Sequence, residues 1–298
     1  MDYLHIIRPE RLLGLRTSPL GCTRILYNAS DQCPKGGGFL TNDLKFFYFG
    51  YQCPHNAYLL ARVKTIAWQE RAKLHLFDVS NDEETCKKYS IFSPTMVIVN
   101  DKYRWHGPFS KEAILEMLED EGVEPVAQAI SQSEDVVRGN LVPITPDSVL
   151  QTCVPCINVE DKGLCMGKSE WVRDMIGATG LKNLGYLHFH EGKCVGGAEF
   201  LPSIRVPYPI PDKREDNAFL TCSYISNEIK DFRAYPLERL IVDLRSSGFK
   251  TLSVAASEKV VFPNGPMAWF TRKGFEDKGI LHEERMHGAK IHYLQLGL

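Results

Sequence analysis

The chain has 298 residues, of which 44% are hydrophobic and 24% are charged; this is the composition of a folded protein and excludes intrinsic disorder. Its 35 basic and 37 acidic residues give a formal charge of −2, so no general attraction to nucleic acid is expected. The length predicts two domains of ordinary size.

The first twenty residues carry charges among their apolar positions, and no later stretch reaches membrane-spanning length without charge. The sequence therefore predicts neither a signal peptide nor a transmembrane segment. Nine cysteines without a secretory signal are typical of reduced thiols. We expect a cytoplasmic protein that does not bind membranes.

The first half of the chain predicts an α/β domain at residues 39–122. Residues 1–38 show no regular periodicity and are expected to form an N-terminal extension. After them the hydrophobic pattern predicts the order strand, helix, strand, helix, strand, strand, helix. These elements fall at residues 44–50, 56–71, 73–79, 82–89, 94–100, 103–106 and 111–121. Three prolines then indicate a linker at residues 123–146.

The second half, residues 147–298, predicts a mixed α/β domain with antiparallel and parallel strands. A short Glu191-Gly192 turn between two strand patterns indicates a hairpin. Farther on, a strand, an amphipathic helix and another strand in succession indicate a parallel pair joined by a crossover. The predicted strands are 149–159, 183–190, 193–201, 218–226, 251–256 and 292–296, and the helices are 168–176, 236–246 and 266–273.

Cys53 is the first candidate functional residue, because it follows the strand at 44–50 and precedes the helix at 56–71. Unpaired amides and the helix dipole at such a position stabilise a thiolate. We expect Cys53 to be exposed, to have a lowered pKa and to be the most rapidly alkylated thiol of the protein.

The order of the first elements, with Ser93-Pro94-Thr95 before a strand, resembles the thioredoxin superfamily; this implies a thioredoxin-like domain with a cis proline facing the Cys53 loop. Phe46–Ala57 (FFYFGYQCPHNA) also resembles the narrower YoaP-like domain, which is found fused to GNAT acetyltransferases. Asn56 replaces the second cysteine of a Cys-x-x-Cys pair, so a dithiol cycle within this loop is excluded. Cys53 can then act through a mixed disulfide, pair with Cys86, or belong to a domain kept for binding or dimerisation.

Two segments of the second half resemble the GNAT acyl-CoA N-acyltransferases. Leu184–Leu201 is similar to the central hairpin of that family, and Ala268–Phe275 (AWFTRKGF) is similar to its segment ending in Gly-Phe. The resemblance implies a GNAT-like mixed sheet that binds acetyl-CoA as a cosubstrate where two parallel strands separate, and that transfers the acetyl group directly to an amine. The cofactor contacts that it implies are Tyr224, Ile225, Ser226, Lys230, Arg233, Ala234 and Asn264.

The phosphate-binding loop departs from the family pattern. In such a site, backbone amides before the following helix hold the pyrophosphate, and glycines let the backbone approach it. Here the loop reads NEIKDFRA at Asn227–Ala234 and has no glycine. Asp231 would repel a phosphate group, whereas Lys230 and Arg233 would attract it.

The proton donor departs from the pattern as well. Phe270 stands where the family has the tyrosine that protonates the departing thiolate, and phenylalanine has no proton to donate. The acid is then water or a neighbour such as Tyr224, and Glu199 on the hairpin strand is the candidate base for the amine. A Phe270→Tyr substitution is expected to raise the rate of transfer if this residue faces the departing sulfur.

Four thiols, those of Cys153, Cys156, Cys165 and Cys194, could in principle hold a zinc ion. Their spacing contains only one tight pair, whereas a zinc site usually repeats such a pair or adds nearby histidines. Buried or substrate-facing thiols are the preferred interpretation, and no metal is predicted.

Three functions remain as hypotheses. The leading one is acetyl-CoA-dependent N-acetyl transfer to an unidentified amine, with the thioredoxin-like half as an accessory domain. The alternative is a single-cysteine thiol, redox or binding protein centred on Cys53, in which the GNAT-like half is non-catalytic. The third is a scaffold that uses both folds as binding surfaces. A homodimer is left open in each case.

Overall fold

The computed structural model describes residues 42–119, 135–151, 162–225, 230–259, 262–284 and 289–298. These residues form a mixed α/β structure with two sheets, both within one compact unit that spans Lys35–Leu298. No helix in these ranges is both long enough and apolar enough to cross a membrane. The predicted N-terminal extension and the first half of the predicted linker, residues 123–134, lie outside the described residues.

The first sheet has four strands in the order β2-β1-β3-β4. The strand β1 pairs with β2 in parallel and with β3 in antiparallel orientation, and β3 pairs with β4 in antiparallel orientation. All seven elements predicted for this half are confirmed. Their bounds are β1 Asp43–Tyr48, α1 His55–Gln69, β2 Lys73–Asp78, α2 Glu83–Tyr89, β3 Thr95–Val99, β4 Tyr103–His106 and α3 Lys111–Glu119.

The second sheet has seven strands in the order β10-β11-β9-β8-β7-β6-β5, in which β8 and β9 are parallel and the other neighbours antiparallel. The predicted hairpin and the predicted strand-helix-strand crossover are both confirmed. The strands are β5 Asn140–Pro143, β6 Gly185–His190, β7 Lys193–Pro202, β8 Asn217–Ile225, β9 Thr251–Ser257, β10 Glu276–Glu284 and β11 Ala289–Gly297. The helices are α4 Pro146–Gln151, α5 Lys162–Thr179, α6 Ala234–Ser246 and α7 Met267–Arg272.

Two predictions about local structure are wrong. The predicted strand at 149–159 begins within a helix, α4, because Pro146 occupies its first position and Thr145 and Ser148 exchange side-chain to backbone hydrogen bonds across its start. The predicted cis proline is not found, since the cis X-Pro bonds of the described residues precede Pro263 and Pro266. The Pro94 carbonyl nevertheless faces the Cys53 loop.

The two sheets share a buried core. Phe47, Phe49 and Met96 of the first half belong to the same hydrophobic cluster as Trp171 and Tyr208 of the second. The Phe49 ring meets the Trp171 ring edge to face, with centroids 5.7 Å apart. Because Phe49 begins the loop between β1 and α1, this contact seats the Cys53 loop against the second half.

The parallel strands β8 and β9 separate towards their carboxyl ends. They pair only through the first three residues of each strand, ending at Phe219 opposite Ser253. Both strands continue well beyond this point, β8 to Ile225 and β9 to Ser257. The unpaired part of the two strands is called the β8–β9 gap below.

Candidate functional site

Glu199 on β7 is completely buried and accepts four hydrogen bonds. Its Oε1 accepts from Gln52 Nε2 at 2.6 Å and from Thr221 Oγ1 at 3.0 Å. Its Oε2 accepts from Lys168 Nζ at 2.5 Å and from the Tyr224 hydroxyl at 2.8 Å. A carboxylate has about four lone-pair positions, so every acceptor position of Glu199 is used. These five residues are called the buried cluster below.

Lys168 on α5 carries the positive charge of the buried cluster. Its side chain is completely buried, and besides Glu199 its ammonium group donates to the backbone carbonyl of Gln52 at 2.6 Å. It also lies 4.3 Å from the centroid of the Trp171 ring. The lysine therefore joins α5, β7 and the Cys53 loop, and its charge is compensated by Glu199.

A β-bulge brings two side chains of β8 to the same carboxylate. Glu199 is opposite Cys222 and Phe200 is opposite Leu220, so Thr221 is the extra residue of the bulge. In a regular strand, residues 221 and 224 would point to opposite faces. The bulge lets Thr221 and Tyr224 both reach Glu199, at the border of the β8–β9 gap.

The three predicted catalytic residues are brought to one place. Glu199 and Tyr224 are members of the buried cluster, and Cys53 directly follows Gln52 in the chain. The charges of Lys168 and Glu199 both act on the Cys53 thiol. To act as a base, however, Glu199 would first have to release one of its four donors.

The predicted thiolate character of Cys53 is wrong. Burial of the thiol raises its pKa to about 11, although a hydrogen bond from the His55 amide and the charge of Lys168 act in the opposite direction. The residue as a whole is half-buried, between the buried Gln52 and Pro54. The desolvation of the thiol raises its pKa more than the amides at the start of α1 lower it.

We therefore expect Cys53 to react slowly with iodoacetamide at neutral pH. With a pKa near 11, only about one thiol in ten thousand is ionised at pH 7, so the rate should rise about tenfold per pH unit up to pH 10. Peptide mass spectrometry after timed labelling between pH 7 and pH 10 measures this. A labelling rate that levels off near pH 7 would show instead that Cys53 is already a thiolate at neutral pH.

The start of α6 is already bound by a carboxylate. Asp231 Oδ1 accepts hydrogen bonds from the amides of Arg233 and Ala234, each at 2.9 Å, and Oδ2 accepts from Trp269 Nε1 at 2.8 Å. These are amides of the kind expected to hold a pyrophosphate. A phosphate group can reach them only by displacing Asp231.

Arg233 is buried rather than directed towards solvent. Its guanidinium carbon lies 4.0 Å from the centroid of the Trp269 ring, and its Nη1 donates to the Gly265 carbonyl at 3.1 Å. Burial lowers its pKa to about 10, so it remains a cation at neutral pH. Its predicted role as a phosphate ligand would require it to leave this stacked position.

The other predicted cofactor contacts surround the β8–β9 gap. Asn264 accepts a hydrogen bond from the Ser223 amide at 3.0 Å, so its side chain holds the unpaired part of β8. The backbone of Ile225 ends β8, and Lys230 is exposed before α6. Ser226 lies outside the described residues.

Phe270 does not face a cleft. Its side chain is completely buried in a second hydrophobic cluster, where its ring packs edge to face on Trp269 and Phe275. A hydroxyl added there would enter an apolar core, which costs about 1–3 kcal/mol unless it finds a partner. The condition for a rate gain in Phe270→Tyr is therefore not met.

The four thiols considered for zinc are only partly described. Cys153 and Cys156 lie outside the described residues, whereas Cys165 is buried in α5 and Cys194 is half-buried in β7. Among the described side chains, no three His, Cys, Asp or Glu residues are grouped so that they could hold a metal ion.

The sequence analysis missed Gln52, Lys168 and Thr221. One signal for Lys168 is present in the sequence. It lies three residues after Cys165 and three before Trp171, on the apolar face of α5. A lysine at such a position needs a buried counter-charge. Gln52 and Thr221 give no comparable signal, because only the folded structure brings them next to Glu199.

The sequence matches no protein-family model and no curated protein. Among solved structures, it is similar to the ribosomal-protein-alanine N-acetyltransferase of Brucella melitensis, with 18% identity and a TM-score of 0.37 over 53% of this chain and 99% of that one. An N-acetyltransferase from Staphylococcus aureus has 12% identity and a TM-score of 0.36 over 54% and 99% of the two chains. A GNAT-family acetyltransferase from Bacillus cereus has 13% identity and a TM-score of 0.36 over 53% and 96%.

The structural neighbours are thus GNAT-family acetyltransferases, matched over about half of this chain. Identities and scores this low carry no inference about activity. The function has to be inferred from the site itself.

Proposed function

We propose that the protein transfers an acyl group, in the simplest case acetyl, from acyl-CoA to an amine at the β8–β9 gap. The observation that carries this proposal is the gap itself, because the two parallel strands stop pairing after Phe219 and Ser253 while both continue. Ligands of open α/β sheets bind beyond the carboxyl ends of parallel strands. Two members of the buried cluster, Thr221 and Tyr224, lie on the unpaired part of β8 and are the polar groups proposed for the reaction.

The separated strands suit an elongated amide-containing ligand. Beyond Phe219, the edge of β8 that faces β9 has no strand partner, although Asn264 occupies its Ser223 amide and its Leu220 carbonyl. Backbone amides and carbonyls that are not used in a ladder can bond to the amides of a pantetheine arm. Acyl-CoA, when bound, supplies the thioester that the amine attacks.

The phosphate groups of the cosubstrate would meet a mixed environment. Asp231 occupies the first amides of α6, and its charge opposes an anion. Lys230 and Arg272 are exposed near the same end of the helix, and the ammonium group of Lys273 lies 4.0 Å from Asp231 Oδ2. We infer that lysine and arginine side chains, rather than helix amides, would hold the phosphates.

Tyr224 is the proposed proton donor. Tyr224 lies on the unpaired part of β8, and its hydroxyl is held by Glu199 Oε2, which orients the side chain. In the reaction the amine loses a proton and the departing thiolate gains one, so a positioned O–H group at the gap lowers the barrier. Glu199 acts through Tyr224 in this proposal and positions its hydroxyl.

The first sheet is proposed as a thioredoxin-like accessory domain. Its strand order and pairing support this assignment, and through Gln52 it contributes a side chain to the buried cluster. The linker predicted at residues 123–146 is proposed to end before β5, because β5 pairs with β6 of the second sheet. The alternative, a redox protein centred on Cys53, is disfavoured because burial raises the pKa of that thiol. A cytoplasmic location remains an expectation from the cysteine content.

Calorimetric titration with acetyl-CoA tests the proposed function. We expect saturable binding with a dissociation constant in the micromolar range, about −8 kcal/mol in free energy. Free pantetheine should bind more weakly, because it lacks the phosphates that the lysine and arginine side chains would hold. Absence of heat and of any thermal stabilisation at millimolar acetyl-CoA would refute the proposal.

A further inference from the structure

Residues 262–265, called the strap below, lie across the β8–β9 gap. On the β8 side, the Asn264 side chain accepts a hydrogen bond from the Ser223 amide at 3.0 Å. On the β9 side, the Ser257 amide donates to the Pro263 carbonyl at 3.1 Å. Both amides belong to the part of the strands that has no β8–β9 pairing. The strap is therefore bonded to both strands and closes the gap between them.

The Asn264 carboxamide takes the place of a strand neighbour on β8. Besides accepting from the Ser223 amide, it donates to the Leu220 carbonyl at 3.4 Å, so it bonds to one N–H and one C=O group of the strand. A secondary amide of a ligand would offer the same edge one acceptor and one donor as well. A pantetheine arm can therefore pair with this stretch of β8 only after the strap has moved away.

The first half of the chain provides a seat for the strap. The ring of Phe262 lies directly over the backbone of Gly107, between β4 and α3, so that a Cβ added to Gly107 would be 2.5 Å from its Cγ and Cδ2 atoms. Gly107 also has a φ of 84°, a conformation that favours glycine, and its amide donates to the Thr95 carbonyl at 2.9 Å. The close approach of the ring thus requires glycine at this position, and the bond to Thr95 fixes the seat to β3.

The strap also holds the cation at the start of α6. The Gly265 carbonyl accepts a hydrogen bond from Arg233 Nη1 at 3.1 Å, and both residues are buried. If the strap moves away, this guanidinium loses a buried acceptor, which destabilises its present position. An anion that enters beside the open gap can then replace the lost acceptor. Opening of the gap and release of Arg233 towards a phosphate group are therefore coupled.

We propose that the strap is autoinhibitory, and that the first sheet holds it over the β8–β9 gap through the contact of Phe262 with Gly107. In the free protein, the strap occupies the place of the pantetheine arm. Binding of the cosubstrate displaces the strap and releases Arg233 towards the phosphates. The identity of this ligand rests on the proposed function, whereas the closure of the gap does not. The first half of the chain thereby controls access to the gap.

Residue-resolved amide exchange of the full chain without ligand tests the closure. Phe262→Ala removes the ring that covers Gly107, so the strap should open more often. We expect the Ser223 and Ser257 amides to exchange faster together, by about tenfold or more, because both are bonded to the strap. The amides of β6, which lies beyond β7, should keep their rates. Phe249→Ala, the same change at a half-buried phenylalanine near the paired end of β9, should leave both amides unchanged.

Calorimetric titration of the same variants with acetyl-CoA tests the inhibition. The apparent affinity of a ligand is reduced by the fraction of protein that is open, so Phe262→Ala should lower the dissociation constant about tenfold. Phe249→Ala should keep the wild-type value. If Phe262→Ala does not fold, Phe262→Leu decides, because it keeps an apolar side chain and removes only the flat ring. It should change both readouts about threefold in the same directions.

The outcomes separate the strap from the proposed function. Unchanged exchange of the Ser223 and Ser257 amides in the folded variant, or acceleration of only one of them, overturns the closure. Faster exchange of both amides with unchanged or weaker binding of acetyl-CoA overturns the autoinhibition. Faster exchange of both amides in a Phe262→Ala variant that binds no acetyl-CoA supports the closure and refutes the proposed function.

Discussion

Replacing Lys168 by methionine should lower the free energy of unfolding by about 3–5 kcal/mol. The substitution keeps the length and most of the apolar surface of the side chain but removes the ammonium group. It leaves the Glu199 carboxylate and the Gln52 carbonyl buried without their strongest donor. Urea unfolding followed by circular dichroism measures the loss.

The matched control is Lys182→Met, the same change at an exposed lysine just after α5, which should alter stability by less than about 0.5 kcal/mol. The double variant Lys168→Met with Glu199→Gln removes both charges but keeps a side-chain carbonyl that can accept from Gln52 and Thr221, and it should recover part of the loss. A loss below about 1 kcal/mol in Lys168→Met would mean that water reaches the pair and that the cluster is not closed as described.

Replacing Tyr224 by phenylalanine should reduce the kcat of acetyl transfer about a hundredfold while changing the KM for acetyl-CoA little. The ring and its packing remain, and only the hydroxyl that Glu199 holds is lost. Steady-state kinetics with acetyl-CoA and the best acceptor from a panel of primary amines measure the two constants. Unfolding is measured beside them, because a hydrogen bond to a charged group contributes about 1.5–3 kcal/mol.

Tyr186→Phe provides the matched control for this substitution. Tyr186 lies on β6, which β7 separates from β8, and its hydroxyl donates to Asp243 on α6, away from the buried cluster. The control should keep its kcat within about twofold of wild type. If Tyr224→Phe folds and also retains full kcat, another group or water protonates the departing thiol, and the proposed role of Tyr224 is wrong.

The sequence was sufficient for the local structure wherever the hydrophobic period is regular. The pattern from residue 44 to 121 predicts all seven elements of the first half, and the crossover of β8, α6 and β9 follows in the same way. The start of α4 was missed because its signal is a capping arrangement of Thr145 and Ser148, which competes with an apolar run that resembles a strand.

The site could be predicted only in part, because its properties depend on contacts between distant residues. Gln52 and Glu199 are separated by 147 positions, and no pattern in either segment indicates the other. The helix start at Cys53 indicated a reactive thiol, but burial against the second half reverses the direction of the pKa shift. In both cases the deciding quantity is desolvation, which requires the folded structure.

The loop before α6 shows a similar limit. Asp231 was expected to repel phosphate because of its charge. In the structure it occupies the first amides of the helix and also binds the indole of Trp269. The Asp231 carboxylate thus occupies the position at the helix start that a phosphate group would take. The charges along the loop do not reveal this role.

Amide hydrogen exchange with and without acetyl-CoA tests most directly whether the cosubstrate binds between β8 and β9. The account predicts that saturating acetyl-CoA slows exchange at least about tenfold in Thr221–Ile225 of β8 and in Val254–Ser257 of β9. The amides of β1 and β3 should keep their rates, because they lie in the other sheet. Protection confined to the first sheet, or unchanged exchange along β8 and β9 in a saturated protein, would contradict the account.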